Sequence, residues 1–171
     1  NAIWIYTRYS ELLEDNEYHK GDDKCHLRIA KLNKVIEKCA RYGIKVFIFA
    51  IEPLGFSAEM AKQYPDIVGG CTYWSTDKSF CPSTQECKNY CINSTRKIFE
   101  RAKGLGGLIV ITAGEKVSSC ASWSDAHEEC PRCSKRHKSH TLSMVCEYLK
   151  EGIRQAGSDA EFIVPEMLDY L

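Results

Sequence analysis

The sequence predicts an α/β fold, a partial (β/α)8 TIM barrel in which about four parallel strands alternate with helices. Short apolar runs rich in β-branched and aromatic residues alternate with segments in which apolar residues recur every three or four positions. The segments between the runs are long enough for crossover helices, and such connections join parallel strands in the right-handed sense. Four strands fit either half of a barrel or a small open α/β sheet.

The predicted strands are four short apolar runs with the β-branched and aromatic composition typical of strands. They cover Ala2–Thr7, Ile44–Ile51, Leu108–Thr112 and Glu161–Val164. The continuous apolar character of the two middle runs is typical of parallel strands that are buried on both faces. Because half a barrel leaves an unpaired strand at each end, we expect self-association through the exposed edges.

Three long helices and one short helix are predicted between these strands. In the first and third long helices the spacing of the apolar residues marks one buried stripe. The second long helix opens with a capping-box pattern, Ser83 followed three residues later by Glu86. The predicted helices cover residues 25–43, 57–64, 83–103 and 142–157, and we expect irregular chain over residues 11–23, 66–82 and 116–136.

Length and composition favour one domain, residues 1–171, and exclude two classes of partner. The 23 basic and 23 acidic side chains balance, so no net field favours nucleic acid or an anionic membrane. No apolar run approaches the ~20 residues that span a bilayer. A chain of this length can fold without disulfides, so its ten cysteines fit a reducing, cytoplasmic compartment. The sequence starts inside a predicted strand, which suggests a piece of a longer protein.

Two carboxylates are the candidates for catalysis, because each follows a predicted strand directly or within a few residues. Glu115 follows Leu108–Thr112, and Glu52 follows Ile44–Ile51. The carboxyl ends of parallel strands are where barrels and open sheets bind substrates. A glycosidase needs two such carboxylates in one cleft, one of them a general acid with a raised pKa. The alternative is a pair of rim carboxylates without a catalytic role.

Aromatic and polar side chains at the predicted strand ends and in the loops suggest a carbohydrate partner. Sugar rings present apolar faces that stack on aromatic rings, while polar neighbours bind the hydroxyl groups. The alternative is ordinary packing of loops over the sheet. The candidate substrate-binding residues are Tyr6, Arg8, Tyr9, Trp74 and Trp123.

Three cysteines in the segment 116–136 suggest a structural zinc ion. Cys120, Cys130 and Cys133 form a C-x9-C-x2-C pattern, and the two-residue spacer allows both thiolates to bind one tetrahedral ion. The fourth ligand would be a histidine or a distant cysteine, and His127 and His137 lie close by in the sequence. A disulfide, free thiols and a redox-active CxxC remain alternatives.

The stretch Ile109–Trp123, IVITAGEKVSSCASW, resembles the fourth-strand region of the β-N-acetylhexosaminidase family of glycoside hydrolases. VFIFAIEP, YPDIVGG and FCPSTQE also occur in the order expected before that strand, and the CPRC loop resembles uncharacterised bacterial relatives of the family. The resemblance implies a (β/α)8 barrel, spanned here from about strand two to strand five. It also implies that Glu115 is the general acid, while Gly114 stands where the family has an aspartate.

The prediction is therefore a segment of a glycoside hydrolase-like barrel that hydrolyses glycosidic bonds in the full-length protein. We expect the segment alone to be inactive, because half a barrel supplies half a cleft. Two alternatives stay open. One is a non-catalytic carbohydrate-binding or structural barrel domain, in which glycine in place of the family's aspartate at position 114 reflects lost chemistry. The other is an interaction or redox module built around a zinc-bound CxxC loop.

Overall fold

The computed structural model describes residues 1–112 and 116–165. In these residues helices and strands follow one another in the order β1, α1, α2, β2, α3, β3, β4, α4, β5, α5, α6, β6. The strands are β1 (Ala2–Tyr6), β2 (Lys45–Ile51), β3 (Val68–Cys71), β4 (Lys78–Phe80), β5 (Gly107–Ile111) and β6 (Glu161–Ile163). The helices are α1 (Tyr9–Leu12), α2 (Cys25–Ala40), α3 (Ala58–Ala61), α4 (Gln85–Arg101), α5 (Ser124–Glu129) and α6 (Lys138–Gln155).

The described chain divides into two compact units. The first contains residues 1–50, 92–110 and 149–165, and the second contains residues 51–91, 111–112 and 116–148. A parallel sheet with the strand order β1-β2-β5-β6 forms the centre of the first unit. The predicted α/β class with four parallel strands is therefore confirmed. Within the described residues these strands form an open sheet, and no closed barrel is found.

One face of the sheet carries the core of the first unit. Side chains of a strand point alternately to opposite faces of the sheet, and the set of side chains on one face is almost completely buried. This set consists of Val46, Ile48 and Ala50 on β2 and Leu108 and Val110 on β5. On the other face the rings of Trp4 and Tyr6 contact Phe49, with centroids 5.2 and 6.0 Å away, yet remain exposed. Self-association through the exposed edges of the sheet stays a prediction.

Helix α2 confirms the predicted buried stripe for Cys25, Ile29, Leu32 and Ile36, which are all buried, whereas Cys39, the last residue of the predicted stripe, is half-buried. Gly43 follows with a φ angle of 65°, the left-handed conformation that favours glycine after a helix. Upstream, part of the segment 11–23 is helical rather than irregular, because α1 ends at Leu12. The Glu11 carboxylate accepts a hydrogen bond from the Arg8 backbone N–H at 2.9 Å and thereby caps this short helix.

The segment 66–82 was expected to be irregular, and this expectation is wrong. It contains β3 and β4, which pair as an antiparallel hairpin in the second unit. Both strands are too short to show an alternating pattern, and β3 contains Gly69 and Gly70, which are unfavourable in strands. Phe80 is the last residue of β4, and its ring centroid lies 4.9 Å from that of Phe56 and 5.4 Å from that of Tyr90, so the three rings form an aromatic core.

Two further expectations of the sequence analysis are corrected in the second unit. Ser83 does not cap α4, because the Thr84 hydroxyl accepts the hydrogen bond from the Cys87 backbone N–H at 3.3 Å. The segment 116–136 is not wholly irregular, because it contains the six-residue helix α5. In the part of the chain that the structure describes, no helix has the length and apolar character needed to cross a membrane.

Candidate metal centre

Four cysteine side chains converge in the second unit. The sulfur atoms of Cys81, Cys120, Cys130 and Cys133 lie within 4.8 Å of one another, and all four residues are fully buried. The Cys81 Sγ lies 3.6 Å from the Cys130 Sγ and 3.7 Å from the Cys133 Sγ. Sulfur ligands about 2.3 Å from a tetrahedral ion would stand about 3.8 Å apart. The cluster can therefore hold one metal ion.

The β3–β4 hairpin positions two of these cysteines. Cys81 directly follows β4, and its backbone N–H donates to the Ile67 carbonyl at 3.0 Å. The Phe80 backbone N–H, one residue earlier, donates to the Ser118 carbonyl at 2.8 Å. This contact aligns the segment that leads to Cys120 beside the end of β4, so that the two sulfur atoms meet.

The other two cysteines lie in the turn after α5. Cys130 directly follows the last residue of α5 as its C-cap, and its carbonyl accepts a hydrogen bond from the Ser134 N–H at 3.0 Å. This turn brings Cys133 back toward Cys130. Gly69 on β3 makes room for the cluster, because a Cβ atom at that position would collide with the Cys120 Sγ and crowd the Cys130 Sγ.

Two polar side chains form hydrogen bonds with sulfur atoms of the cluster. The Arg132 Nε donates to the Cys81 Sγ at 3.1 Å, and the same guanidinium also donates to the Val68 carbonyl. The Ser83 hydroxyl lies 3.3 Å from the Cys133 Sγ. Hydrogen bonds of this kind orient metal ligands and offset the negative charge that thiolates carry.

The four thiols share their protons unevenly. The hydrogen bond with Cys120 is the largest influence on Cys81 and, with help from Cys133 and Arg132, lowers the pKa of Cys81 to about 6. Hydrogen bonding with Cys120 also lowers the pKa of Cys130, whereas hydrogen bonding with Cys130 raises the pKa of Cys120. Without a cation, four buried thiols cannot all ionise together. A bound metal ion would displace the remaining protons.

The structure brings together the three cysteines of the predicted zinc site and adds Cys81 as the fourth. The two nearby histidines are engaged elsewhere: the His127 Nε2 lies 3.3 Å from the Thr141 hydroxyl, and the His137 Nδ1 lies 2.7 Å from the Ser139 hydroxyl. Cys81 could have been suspected from the sequence, since it is one of five cysteines outside the predicted helices and three of the other four were already in the predicted site. Its proximity to the others depends on the hairpin, which the sequence analysis missed.

The alternative of a disulfide does not fit the described geometry. All ten cysteines lie in the described residues, and all are free thiols. A disulfide would need the two sulfur atoms at about 2.05 Å, far closer than the separations in the cluster. A redox-active CxxC also needs exposed sulfur, whereas Cys130 and Cys133 are fully buried.

Of the two candidate catalytic carboxylates, the structure describes only Glu52. Glu115 lies outside the described residues, and so does its neighbour Gly114. Glu52 directly follows β2 and is fully buried, and the Tyr90 hydroxyl donates to its Oε2 at 3.0 Å. The carboxylate of Glu52 is therefore part of a buried hydrogen-bonded contact in the second unit.

The candidate sugar-binding residues fall into three groups. Trp74 and Trp123 lie together in the second unit, with ring centroids 5.6 Å apart and an edge-to-face angle of 78°. Tyr6 and Arg8 are exposed in the first unit. Tyr9 is completely buried, and its hydroxyl lies 2.9 Å from the Thr95 hydroxyl. The expectation that Tyr9 faces a sugar is therefore corrected, because its ring belongs to the core.

Comparisons with protein-family models, with curated proteins and with solved structures find no match to this chain.

Proposed function

We propose that this chain binds one structural Zn²⁺ ion through the thiolates of Cys81, Cys120, Cys130 and Cys133. The observation that carries the proposal is the convergence of four buried sulfur atoms within 4.8 Å. Soft thiolate ligands in a tetrahedral set are typical of zinc sites. The separations of 3.6 and 3.7 Å suit a single ion bound directly by the four sulfur atoms.

The ion has a structural role in this proposal. Catalytic zinc sites use three protein ligands and keep a fourth position open for water or substrate. Here the four cysteines fill the tetrahedral set, and none of them reaches solvent. The ion would join the end of β4 to the segment around α5 and supply folding free energy to a region of short secondary structure.

Metal analysis of the purified chain tests the proposal. We expect one zinc ion per chain, and loss of that ion in the variant Cys130→Ser, because three thiolates bind zinc far more weakly than four. The matched control is Cys87→Ser, which alters a fully buried cysteine outside the cluster and should keep its zinc. Metal-free protein with an unchanged thermal midpoint after zinc addition would refute the proposal, and iron in place of zinc would correct the choice of ion.

The second candidate function is carbohydrate binding, with hydrolysis of a glycosidic bond in the full-length protein. The specific observation in its favour is the Trp74–Trp123 pair, since Trp74 keeps 43% of its surface exposed and neighbouring Tyr73 keeps 90%. Exposed aromatic rings beside polar groups suit the apolar faces of sugar rings. The resemblance around Ile109–Trp123 supports Glu115 as the general acid, with Glu52 as the proposed second carboxylate.

Turnover of a panel of aryl glycosides by the protein that contains this chain tests hydrolysis. We expect Glu115→Gln to abolish turnover while oligosaccharide binding is retained, because the amide cannot donate the proton that the leaving group needs. The control Glu128→Gln, at an exposed position on α5, should leave turnover unchanged. Sugar binding without turnover in the unaltered protein would favour the non-catalytic carbohydrate-binding domain instead.

A further inference from the structure

We propose that the zinc ion assembles the aromatic surface formed by Tyr73, Trp74 and Trp123, so that this surface binds a sugar ring only in the metal-loaded protein. The inference rests on the zinc site and on the carbohydrate function proposed above. It adds a dependence of one on the other.

The proposed ligands bracket the segment that carries Trp123. Cys120 lies three residues before Trp123, and Cys130 directly follows Glu129, the last residue of α5. Helix α5 has only six residues, and isolated helices shorter than about 12–15 residues are marginal in water. The segment 120–133 therefore needs an external anchor, and the metal ligands supply one at each of its ends.

The hairpin side of the surface depends on the same segment. The Tyr73 backbone N–H donates to the Asp125 carboxylate at 2.7 Å, and the Cys71 N–H donates to the Glu129 carboxylate at 3.2 Å. Both bonds are at the surface, where water competes for their donors and acceptors. A Cβ atom on Gly70 would collide with the Ala126 carbonyl, so α5 lies directly against β3.

These contacts determine where the two tryptophan rings meet. Trp74 follows Tyr73, whose backbone N–H donates a hydrogen bond to the Asp125 carboxylate on α5. Trp123 directly precedes α5. The rings, whose centroids are 5.6 Å apart, are therefore held together by the contact of α5 with β3. The ion would contribute the buried part of that attachment. Cys81, directly after β4, would bind the same ion as Cys120 and Cys130, which flank α5.

Tryptophan fluorescence of the variant Trp4→Phe isolates the pair, because Trp4 is the third tryptophan of the chain. We expect removal of zinc with EDTA to raise acrylamide quenching and to reduce the near-ultraviolet dichroism of the pair, and zinc addition to restore both. In isothermal titration with chitohexaose and cellohexaose, we expect zinc removal to weaken binding about tenfold or more, as loss of aromatic contacts predicts.

Two variants separate the surface from the ion. Trp74→Ala should lose oligosaccharide binding but retain one zinc ion, whereas Tyr42→Ala, at an exposed aromatic residue of the first unit, should retain both. If zinc binds and is removed while the tryptophan signals and sugar affinity stay unchanged, the inference is wrong and the zinc site stands. If the signals respond but neither oligosaccharide binds in either state, the sugar as occupant is wrong. A chain that binds no zinc overturns the proposed site itself.

Discussion

At the scale of single residues, the cluster depends on positive charge next to its sulfur atoms. Four thiolates carry more negative charge than one Zn²⁺ ion neutralises, and buried excess charge is unfavourable without a partner. The Arg132 guanidinium provides that partner through its 3.1 Å hydrogen bond to the Cys81 Sγ. It also holds β3 through the Val68 carbonyl, so it orients the ligand as well as offsetting its charge.

Arg132→Met should therefore weaken zinc binding without removing a ligand. We expect the zinc affinity to fall about 10- to 100-fold, the range typical of lost hydrogen bonds to metal ligands. Competition with a chromogenic chelator measures this change. Arg136→Met is the matched control, because Arg136 lies in the same segment and donates to the Met144 sulfur at 3.1 Å instead. Equal affinities in the two variants would contradict a role for Arg132.

At the scale of the elements, the start of α2 illustrates a local charge arrangement. The Asp22 carboxylate accepts hydrogen bonds from the Arg28 guanidinium at 2.6 and 2.8 Å and from the Lys24 backbone N–H at 3.0 Å. The hydrogen bond from Arg28 is the main reason that the pKa of Asp22 is lowered to about 2. The ionised carboxylate thus holds the first turns of α2 together.

The lowered pKa determines the direction of a pH effect. The unfolded chain has an aspartate pKa of about 3.9, so the contribution of Asp22 is complete above that pH and is lost as pH falls toward about 2. We expect Asp22→Asn to remove a small part of the acid sensitivity of the thermal midpoint between about pH 4 and 2. Asp23→Asn, at an exposed neighbour, is the control. Identical acid profiles for the three proteins would contradict the prediction.

At the scale of the whole molecule, the two compact units depend on different interactions. The first unit has a core of buried aliphatic side chains on a four-stranded sheet and on α2. The second unit has short strands, the six-residue helix α5 and the four buried cysteines. A ligand that binds only the folded state stabilises what it holds, so the metal should matter most for the second unit.

Removal of zinc should accordingly loosen one unit selectively. In hydrogen exchange measured by mass spectrometry, we expect amides of residues 67–81 and 118–136 to lose protection about tenfold or more. Amides of residues 46–50 and 107–110, on the buried strands β2 and β5, should keep theirs. Reloading with zinc provides the control, and a uniform loss of protection in both units would contradict a local role for the ion.

The sequence alone determined the features that depend on local pattern. The spacing of Cys25, Ile29, Leu32 and Ile36 predicted the buried stripe of α2, and short apolar runs predicted both ends of all four strands of the sheet to within one residue. The C-x9-C-x2-C spacing brought three of the four clustered cysteines into one prediction. Each of these patterns lies within a short stretch of chain, where helix and strand periodicity act directly.

Only the tertiary structure decided which distant residues meet. Cys81 is 49 residues from Cys130, and Tyr9 is buried beside Thr95, 86 residues away. The hairpin β3–β4 was missed because hydrogen bonds between its two strands outweighed weak local preferences. The Thr84 cap was missed because Ser83 and Thr84 are adjacent residues of types that both cap helices, and only the folded chain shows which of them does so. A sequence pattern specifies which element a segment can form. The approach of Cys81 to the other three cysteines depends instead on contacts between segments, and only the path of the folded chain provides these.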